Sequence, residues 1–333
     1  MKINSEFCLL EQEIEFFVKL LDELTDENHY LTTVQIINLL EERYSISSHR
    51  TTIAQDIDVL KKIGMDIDCI PSTQNRYRIL SRRFDNAELK LLIDAVASSK
   101  FISKRKSTSL AERLSSLTST YEAEKLKRNI SVENRIKSEN ELTLLIIDAI
   151  NEAINQKKQI RFQYFRYNEK KKRIPKWDGY WYHMSPHRLV WNGDYYYVLG
   201  YYEKYDAVVS YRVDRIVRPP EIMGEDALPM PKGFNLDRHI NSMFRMYSDS
   251  AERIQVKLLC DNDLMDAIID RFGKSVKTKR MDEGHFETDV AVAVNSVFFS
   301  WIFGFGGKVK IAAPEVVSEQ YAAMVRAAAK GLE

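Results

Sequence analysis

Hydrophobic and polar positions along the chain change period several times, and each change marks a new element. Over residues 9–24, Leu9, Leu10, Phe16, Phe17, Leu20, Leu21 and Leu24 return at helical spacing. Thr32 followed three residues later by Gln35 has the form of a capping box, which opens a second helix over VQIINLLEERY. In SISSHRTTIAQDIDVLKKIGMDI, Ser47 or Ser48 can cap a third helix. Its Ile53, Ile57 and Leu60 form one apolar face, with Thr51, Ala54, Gln55 and Asp58 roughly opposite. Gly64 stands where a left-handed residue ends a helix. MDIDCI and RYRIL then read as two short strands joined by the polar loop PSTQN.

Helix, helix, turn, helix, hairpin is the plan of a winged helix-turn-helix, whose second compact helix enters the major groove N-terminus first. On that plan Ser48, His49, Arg50, Thr51 and Gln55 fall near double-stranded operator DNA, and Arg76 on the wing near phosphate. The competing reading is a three-helix bundle with no DNA role. The helix that carries these residues also has Lys61 and Lys62, and the hairpin adds Arg78.

Residues 85–156 keep helical spacing with few glycines or prolines: ELKLLIDAV, KRKSTSLAERLSSL and ELTLLIIDAINEAINQ are three amphipathic segments. They predict a spacer, and a homodimer is expected from these helices or from the C-terminal region. From Lys157 the period becomes two. In KQIRFQYFRYN, Ile160, Phe162 and Tyr164 alternate with Arg161 and Gln163. A basic loop, EKKKRIPKWDG, follows. Then come YWYHMSPHRLVW, an Asn192-Gly193 hairpin signal, DYYYVLGYY, a turn near Lys204 to Asp206, and AVVSYRVDRI. Short antiparallel strands with tight turns predict a small barrel. Residues 254–313 alternate strand and helix as βαββαβ, a ferredoxin-like order, with a last helix after Pro314. The expected fold class is α+β multidomain, with segments 1–82, 83–140, 141–220 and 221–333.

Charge changes this picture locally. The net charge of the 333 residues is only +1. Residues 1–80 nevertheless carry eight Lys+Arg against fourteen Asp+Glu, and residues 157–218 carry fourteen against six. The second stretch also holds eleven of the 17 tyrosines. Cations interleaved with flat rings suit a single-stranded nucleic acid; a basic rim around an aromatic core gives the same composition.

HRTTIAQDIDVLKKIGMDI resembles the signature of the winged-helix domain that heads WYL-domain transcriptional regulators, with Arg50, Thr52, Asp56, Ile57, Leu60, Gly64 and Ile67 at its positions. In that family Asp56 is a structural acid rather than a base reader. Residues 185–216 resemble the WYL domain, an Sm-like or SH3-like barrel, through Pro186, Leu189, Gly193, Tyr197, Gly200, Tyr201, Arg212, Asp214, Arg215 and Ile216. The naming triplet is here Tyr196-Tyr197-Val198, which differs at two of three letters. FSWIFGFGGKVKIAAPEVV resembles the family's C-terminal extension. The resemblance implies a regulatory sensor of nucleotides or single-stranded nucleic acid, with a groove at Ser185, His187, Arg188, Tyr196, Arg212 and Arg215. Strand parity complicates that set: Arg212 and Arg215 are three apart, as a regular strand would not place them together. The same holds for His187 and Arg188.

A hydrolase reading rests on His183, Ser185 and His187 with two-residue spacing, but no acidic orienter, nucleophile elbow or phosphate loop accompanies them. No catalytic residue, metal ligand or cofactor is expected. A pure interaction protein is a further alternative. Cys8, Cys69 and Cys260 are odd in number and widely spaced, which suits a reducing compartment. No apolar run reaches membrane-spanning length, and a cytoplasmic protein is expected.

Overall fold

The computed structural model describes residues 3–128, 136–235 and 253–332, without the side chains of 3–13, 253 and 332. The expectations for Leu9 and Leu10 therefore lie outside the described side chains. The protein is mixed α/β, with helices and several antiparallel sheets, and divides into two compact units, Met1–Glu141 and Leu142–Glu333.

In the first unit α1 (Ile3–Leu24), α2 (Thr33–Tyr44) and α3 (Arg50–Lys62) stand beside a sheet of order β1-β3-β2, formed by β1 (Leu31–Thr32), β2 (Ile67–Ile70) and β3 (Arg76–Ile79). The two-residue strand β1 was not expected. Its pairing with β3 extends the anticipated hairpin to three strands. The apolar stripes meet in one core: Phe17, Leu20 and Leu21 of α1, Ile36 and Leu40 of α2, Ile53, Ile57 and Leu60 of α3, and Ile67, Tyr77 and Ile79 of the hairpin. Thr32 and Gln35 form both bonds of the capping box. At the end of α3, Gly64 at φ 99° donates to Lys61 O and Met65 donates to Leu60 O, the paired bonds of a Schellman turn.

The start of α3 differs from expectation. Its N-cap is His49, without a side-chain cap bond, rather than Ser47 or Ser48. The cap falls one residue after Ser48, and Ser48 turns inward: it is 7% exposed, and its Oγ has no hydrogen-bond partner.

Three more helices, α4 (Asn86–Ser98), α5 (Lys104–Ser115) and α6 (Thr120–Arg128), complete this unit around Leu89, Ile93, Ala111 and Leu126. Polar contacts join them to the part formed by α1–α3 and the three-stranded sheet. Arg82 Nη2 donates to the carbonyls of Asp22 and Thr25 at the end of α1. Asp26 accepts from Ser119 Oγ at 2.6 Å and from His29 Nδ1 at 2.7 Å.

The second unit opens with α7 (Thr143–Asn155) over a five-stranded antiparallel sheet of order β10-β4-β7-β8-β9. The strands are β4 (Lys158–Gln163), β7 (Trp181–Asn192), β8 (Tyr195–Tyr202), β9 (Ala207–Arg212) and β10 (Glu221–Asp226). The run expected as one strand, KQIRFQYFRYN, is two. β5 (Phe165–Tyr167) leaves the sheet to form a separate hairpin with β6 (Arg173–Pro175). Strand β7 changes partner midway: residues 181–184 pair with β4 and residues 185–192 with β8. An isolated bridge between Tyr164 and Ile216 ties the chain beyond β9 back to the end of β4. The core inside this curved sheet holds Ile146 and Ile150 of α7 with Ile160, Phe162, Tyr182, Met184, Val198, Tyr202 and Val213.

The remainder of this unit is a four-stranded antiparallel sheet of order β12-β13-β11-β14, from β11 (Arg253–Asp261), β12 (Thr278–Arg280), β13 (His285–Ala293) and β14 (Val309–Ala313). Helices Met265–Phe272, Ser296–Phe303 and Glu315–Ala329 accompany it, in the anticipated order. The strand expected from Ser275 begins only at Thr278.

Candidate nucleic-acid interfaces

Helix α3 separates its faces as its spacing predicts. Ile53, Ile57 and Leu60 are buried, whereas His49, Arg50, Thr51, Ala54, Gln55 and Asp58 are exposed. Asp56, read as structural, is 8% exposed and belongs to the inner face. Ser48 does not join the outward surface, because it is buried beneath the helix start. Arg76 on the hairpin lies over the Tyr30 ring, 4.5 Å from its centroid, and that stacking fixes where its charge is held.

The six residues named for the groove do not converge. Residues directly opposite in a ladder share a face. Arg188 opposes Leu199, Tyr197 opposes Arg212, and Asn192 opposes Tyr195, so Arg188, Tyr195, Tyr197, Leu199 and Arg212 share one face of the β7–β8–β9 sheet. Tyr196 opposes Trp191 and points the other way, packing against the α7-side core. Tyr195, which was not among the expected residues, supplies the ring instead: the Arg212 guanidinium stands 3.3 Å from its centroid. No composition signal separates three consecutive tyrosines. Only the register does, and it follows from a turn centred on Gly193-Asp194 rather than on Asn192-Gly193.

The arginines meet different fates. Arg212 is paired within the chain, its Nε and Nη2 donating to the two oxygens of Asp214 at 3.1 and 2.8 Å. Burial alone would lower this guanidinium's pKa; the Asp214 bonds and charge outweigh it and raise it. Strand β9 ends at Arg212, and a 3-10 turn over Val213–Arg215 follows. Strand alternation therefore does not govern Arg215, whose Nε is buried without a partner. A register shift between Pro186 and Arg188 makes His187 an extra residue, a β-bulge, so His187 and Arg188 are not bound by strand alternation.

Ser185 and His187 turn to the chain beyond β10. Ser185 Oγ accepts the Leu228 N–H at 2.9 Å, and His187 Nε2 donates to the Leu228 carbonyl at 2.9 Å. Both polar groups of one peptide segment are thereby satisfied, and the two side chains do not form a nucleophile–base pair. No group of His, Cys, Asp and Glu among the described residues could hold a metal ion, and no described helix is long and apolar enough to cross a membrane.

Tyr164 links this region to the β5–β6 hairpin. Its hydroxyl accepts the Arg212 N–H at 3.2 Å, and its carbonyl accepts the Lys176 N–H at 2.8 Å. Burial drives its phenol well above the ordinary range.

Two family models match stretches of this chain. The model of the WYL domain matches residues 146–220, and the model of the WCX domain matches residues 252–329. No curated protein matches the chain. Among solved structures, proteasome accessory factor B/C (PafBC) of Arthrobacter aurescens is 16% identical over 96% of this chain and 48% of that one, with a TM-score of 0.30. This chain thus spans about half the length of that protein. A CRISPR Cas-related protein is 14% identical over 90% of this chain and 79% of its own, with a TM-score of 0.38.

Proposed function

We propose that this chain, which carries a WYL domain and a WCX domain, is a DNA-binding transcription regulator that responds to a nucleotide or a short single-stranded nucleic acid. The observation that carries the DNA half is the outward face of α3. His49, Arg50, Thr51 and Gln55 are exposed at the N-terminal end of a helix whose opposite side is core, and a hairpin carrying Arg76 follows. That is the geometry with which a winged helix-turn-helix presents side chains to a major groove. On this reading the order of the chain is reader over 1–82, helical linker over 83–140, a small Sm/SH3-like barrel over 141–220 and a ferredoxin-like domain over 221–333. Part of that last segment, 236–252, lies outside the described residues. One recognition helix per chain contacts too little DNA for tight specificity, so the working form is a homodimer.

The sensor half is supported by the shared face of Arg188, Tyr195 and Arg212, not by the full set of six residues. Ser185 and His187 serve the Leu228 peptide, and Tyr196 belongs to the core side. The protein is read as a regulator rather than an enzyme.

Genome-wide mapping of bound sites supplies the operator. On that operator, Arg50→Ala weakens binding by about 1–3 kcal/mol if Arg50 reads a base. If Arg50 holds a phosphate, affinity falls across all sequences and the salt slope drops by roughly one. A folded Arg50→Ala variant that binds as the wild type does would remove α3 as the reader.

A further inference from the structure

The β5–β6 hairpin and the turn after it carry a charged, aromatic surface that lies outside the proposed sensor face. From Phe165 to Asp178 there are six cations, Arg166, Lys170, Lys171, Lys172, Arg173 and Lys176, against Glu169 and Asp178. Arg166 and the three lysines of the tip are exposed and make no ion pair within the described residues. Several other cations of this domain are paired with carboxylates: Arg161 and Arg218 on Glu221, Lys158 on Asp226, Arg212 on Asp214. The charge of the four exposed hairpin cations, Arg166 and the three lysines, is open to a ligand.

Trp177 is the second observation. It is 72% exposed, and both it and Asp178 are held at φ 51° in the left-handed region. For residues other than glycine that conformation costs about 1–3 kcal/mol each and persists only where the surroundings impose it. Here they do. The Lys176 N–H is bonded to Tyr164 O, Tyr180 N–H to Trp177 O, and Gln163 Nε2 to Gly179 O. Strand β4 and its continuation clamp the turn on both sides, and the clamp holds a large apolar ring in water. Together with Arg166, Ile174, Pro175, Lys176 and Asp178, Trp177 lines a groove of about 760 Å³, in which two cations face one carboxylate.

We infer that this groove binds single-stranded nucleic acid, with a base stacked on Trp177 and the backbone along Arg166, Lys176 and the lysines of the tip. A duplex hides the faces of its bases, so an exposed indole gains most from an unpaired strand. An acidic protein segment would satisfy the lysines but has no use for the displayed ring. The inference rests on the sensor reading only for the class of ligand and places it on a different surface from Arg188, Tyr195 and Arg212. Tyr164, with Lys176 on its carbonyl and Arg212 on its hydroxyl, joins the two surfaces.

The test uses the full chain and an oligothymidylate of about 16 nucleotides, the upper range for one small-barrel site, followed by fluorescence anisotropy over a salt series. The background carries Arg50→Ala to weaken any contribution from α3, and every variant is compared with that background. Trp177→Ala should weaken binding by roughly 5- to 100-fold. Lys171→Glu with Lys172→Glu should reduce the slope of log affinity on log salt by about 0.7 for each phosphate no longer neutralised. Both changes are at exposed positions, and circular dichroism checks that the fold is kept. If both variants bind as the background does while Arg188→Glu loses binding, the ligand sits on the sheet face; this inference fails and the sensor reading stands. If polyglutamate competes as well as the oligonucleotide and Trp177→Ala has no effect, the hairpin is an acidic-protein surface and the inference fails. If the unmutated sensor binds neither oligonucleotide nor nucleotide at low salt, both fail.

Discussion

Tyr164 shows how much one buried side chain carries in this fold. Its ring belongs to the core between α7 and the sheet, in edge-to-face contact with Tyr182 and Tyr211. Its hydroxyl accepts the backbone N–H of Arg212, where β9 gives way to the 3-10 turn. Tyr164→Phe keeps the ring and removes the acceptor, leaving an inward N–H unpaired. The expected loss is about 1–3 kcal/mol of stability in the unit from Leu142 onward. Tyr167→Phe, on an exposed ring, should cost almost nothing. Urea unfolding of both variants checks this; equal midpoints would mean that the Arg212 N–H finds another partner. At this scale the sequence was legible where periodicity alone decides the outcome, as for Ile53, Ile57 and Leu60. It was not legible where one residue of slip matters. Ser48 is buried because α3 starts at Arg50, and Tyr195 rather than Tyr196 meets Arg212 because the β7–β8 turn is centred one residue later than Asn192-Gly193 suggests.

Among the elements, β8 is the one whose composition is most constrained by its neighbours. Gly200 opposes Pro186 just before the His187 bulge, and a Cβ added there would enter the space of the Ser185 carbonyl and the Met184 Cε. The methionine end can move, but the carbonyl belongs to the backbone of the strand and cannot move without disturbing the ladder. Gly200→Ala should therefore lower stability by about 1–3 kcal/mol. Gly224→Ala, where nothing lies within 4 Å, should be close to neutral. Thermal melts of the two variants decide it, and a neutral Gly200→Ala would mean that the strands separate easily at this point. Most elements were legible because their signals are local: the capping box at Thr32, the glycine stop at Gly64, the βαββαβ alternation near the C-terminus. The division of KQIRFQYFRYN into β4 and β5 was not. Alternation continues across Tyr164, and only the pairing of Ile160 and Phe162 with Met184 and Tyr182, against that of Phe165 with Pro175, separates the two.

For the whole molecule, two units with separate cores imply that acid need not unfold them together. Asp26 decides the matter for Met1–Glu141. Burial would raise its carboxyl, but hydrogen bonds from Ser119 Oγ, the Asn28 N–H and His29 outweigh that and hold it below the ordinary value. Ser119 Oγ in turn accepts the Glu122 N–H at the head of α6, so the carboxylate joins the loop after α1 to the helical part. A depressed folded pKa gives stability that is full above the unfolded value of about 3.9 and is lost as pH falls through the folded one. In the other unit the carboxylates held low among the described residues are Asp226, by Lys158, and Asp282, by His285 and the Gly284 N–H, and both are exposed. Exposed pairs of that kind contribute little. Below about pH 4, residues 1–141 should therefore lose hydrogen-exchange protection before residues 142–333. Asp26→Asn should lower the protection of the first unit at neutral pH by about 1–3 kcal/mol and flatten its acid dependence. Exchange followed by mass spectrometry resolves the two units in one sample. If the variant matches the wild type at neutral pH, or if acid opens the second unit first, Asp26 is not the joint between the α1–α3 part and the helices α4–α6. On the proposed function that joint would matter for regulation, because α3 could report a ligand bound elsewhere in the chain only if it were held firmly to the helices that follow it.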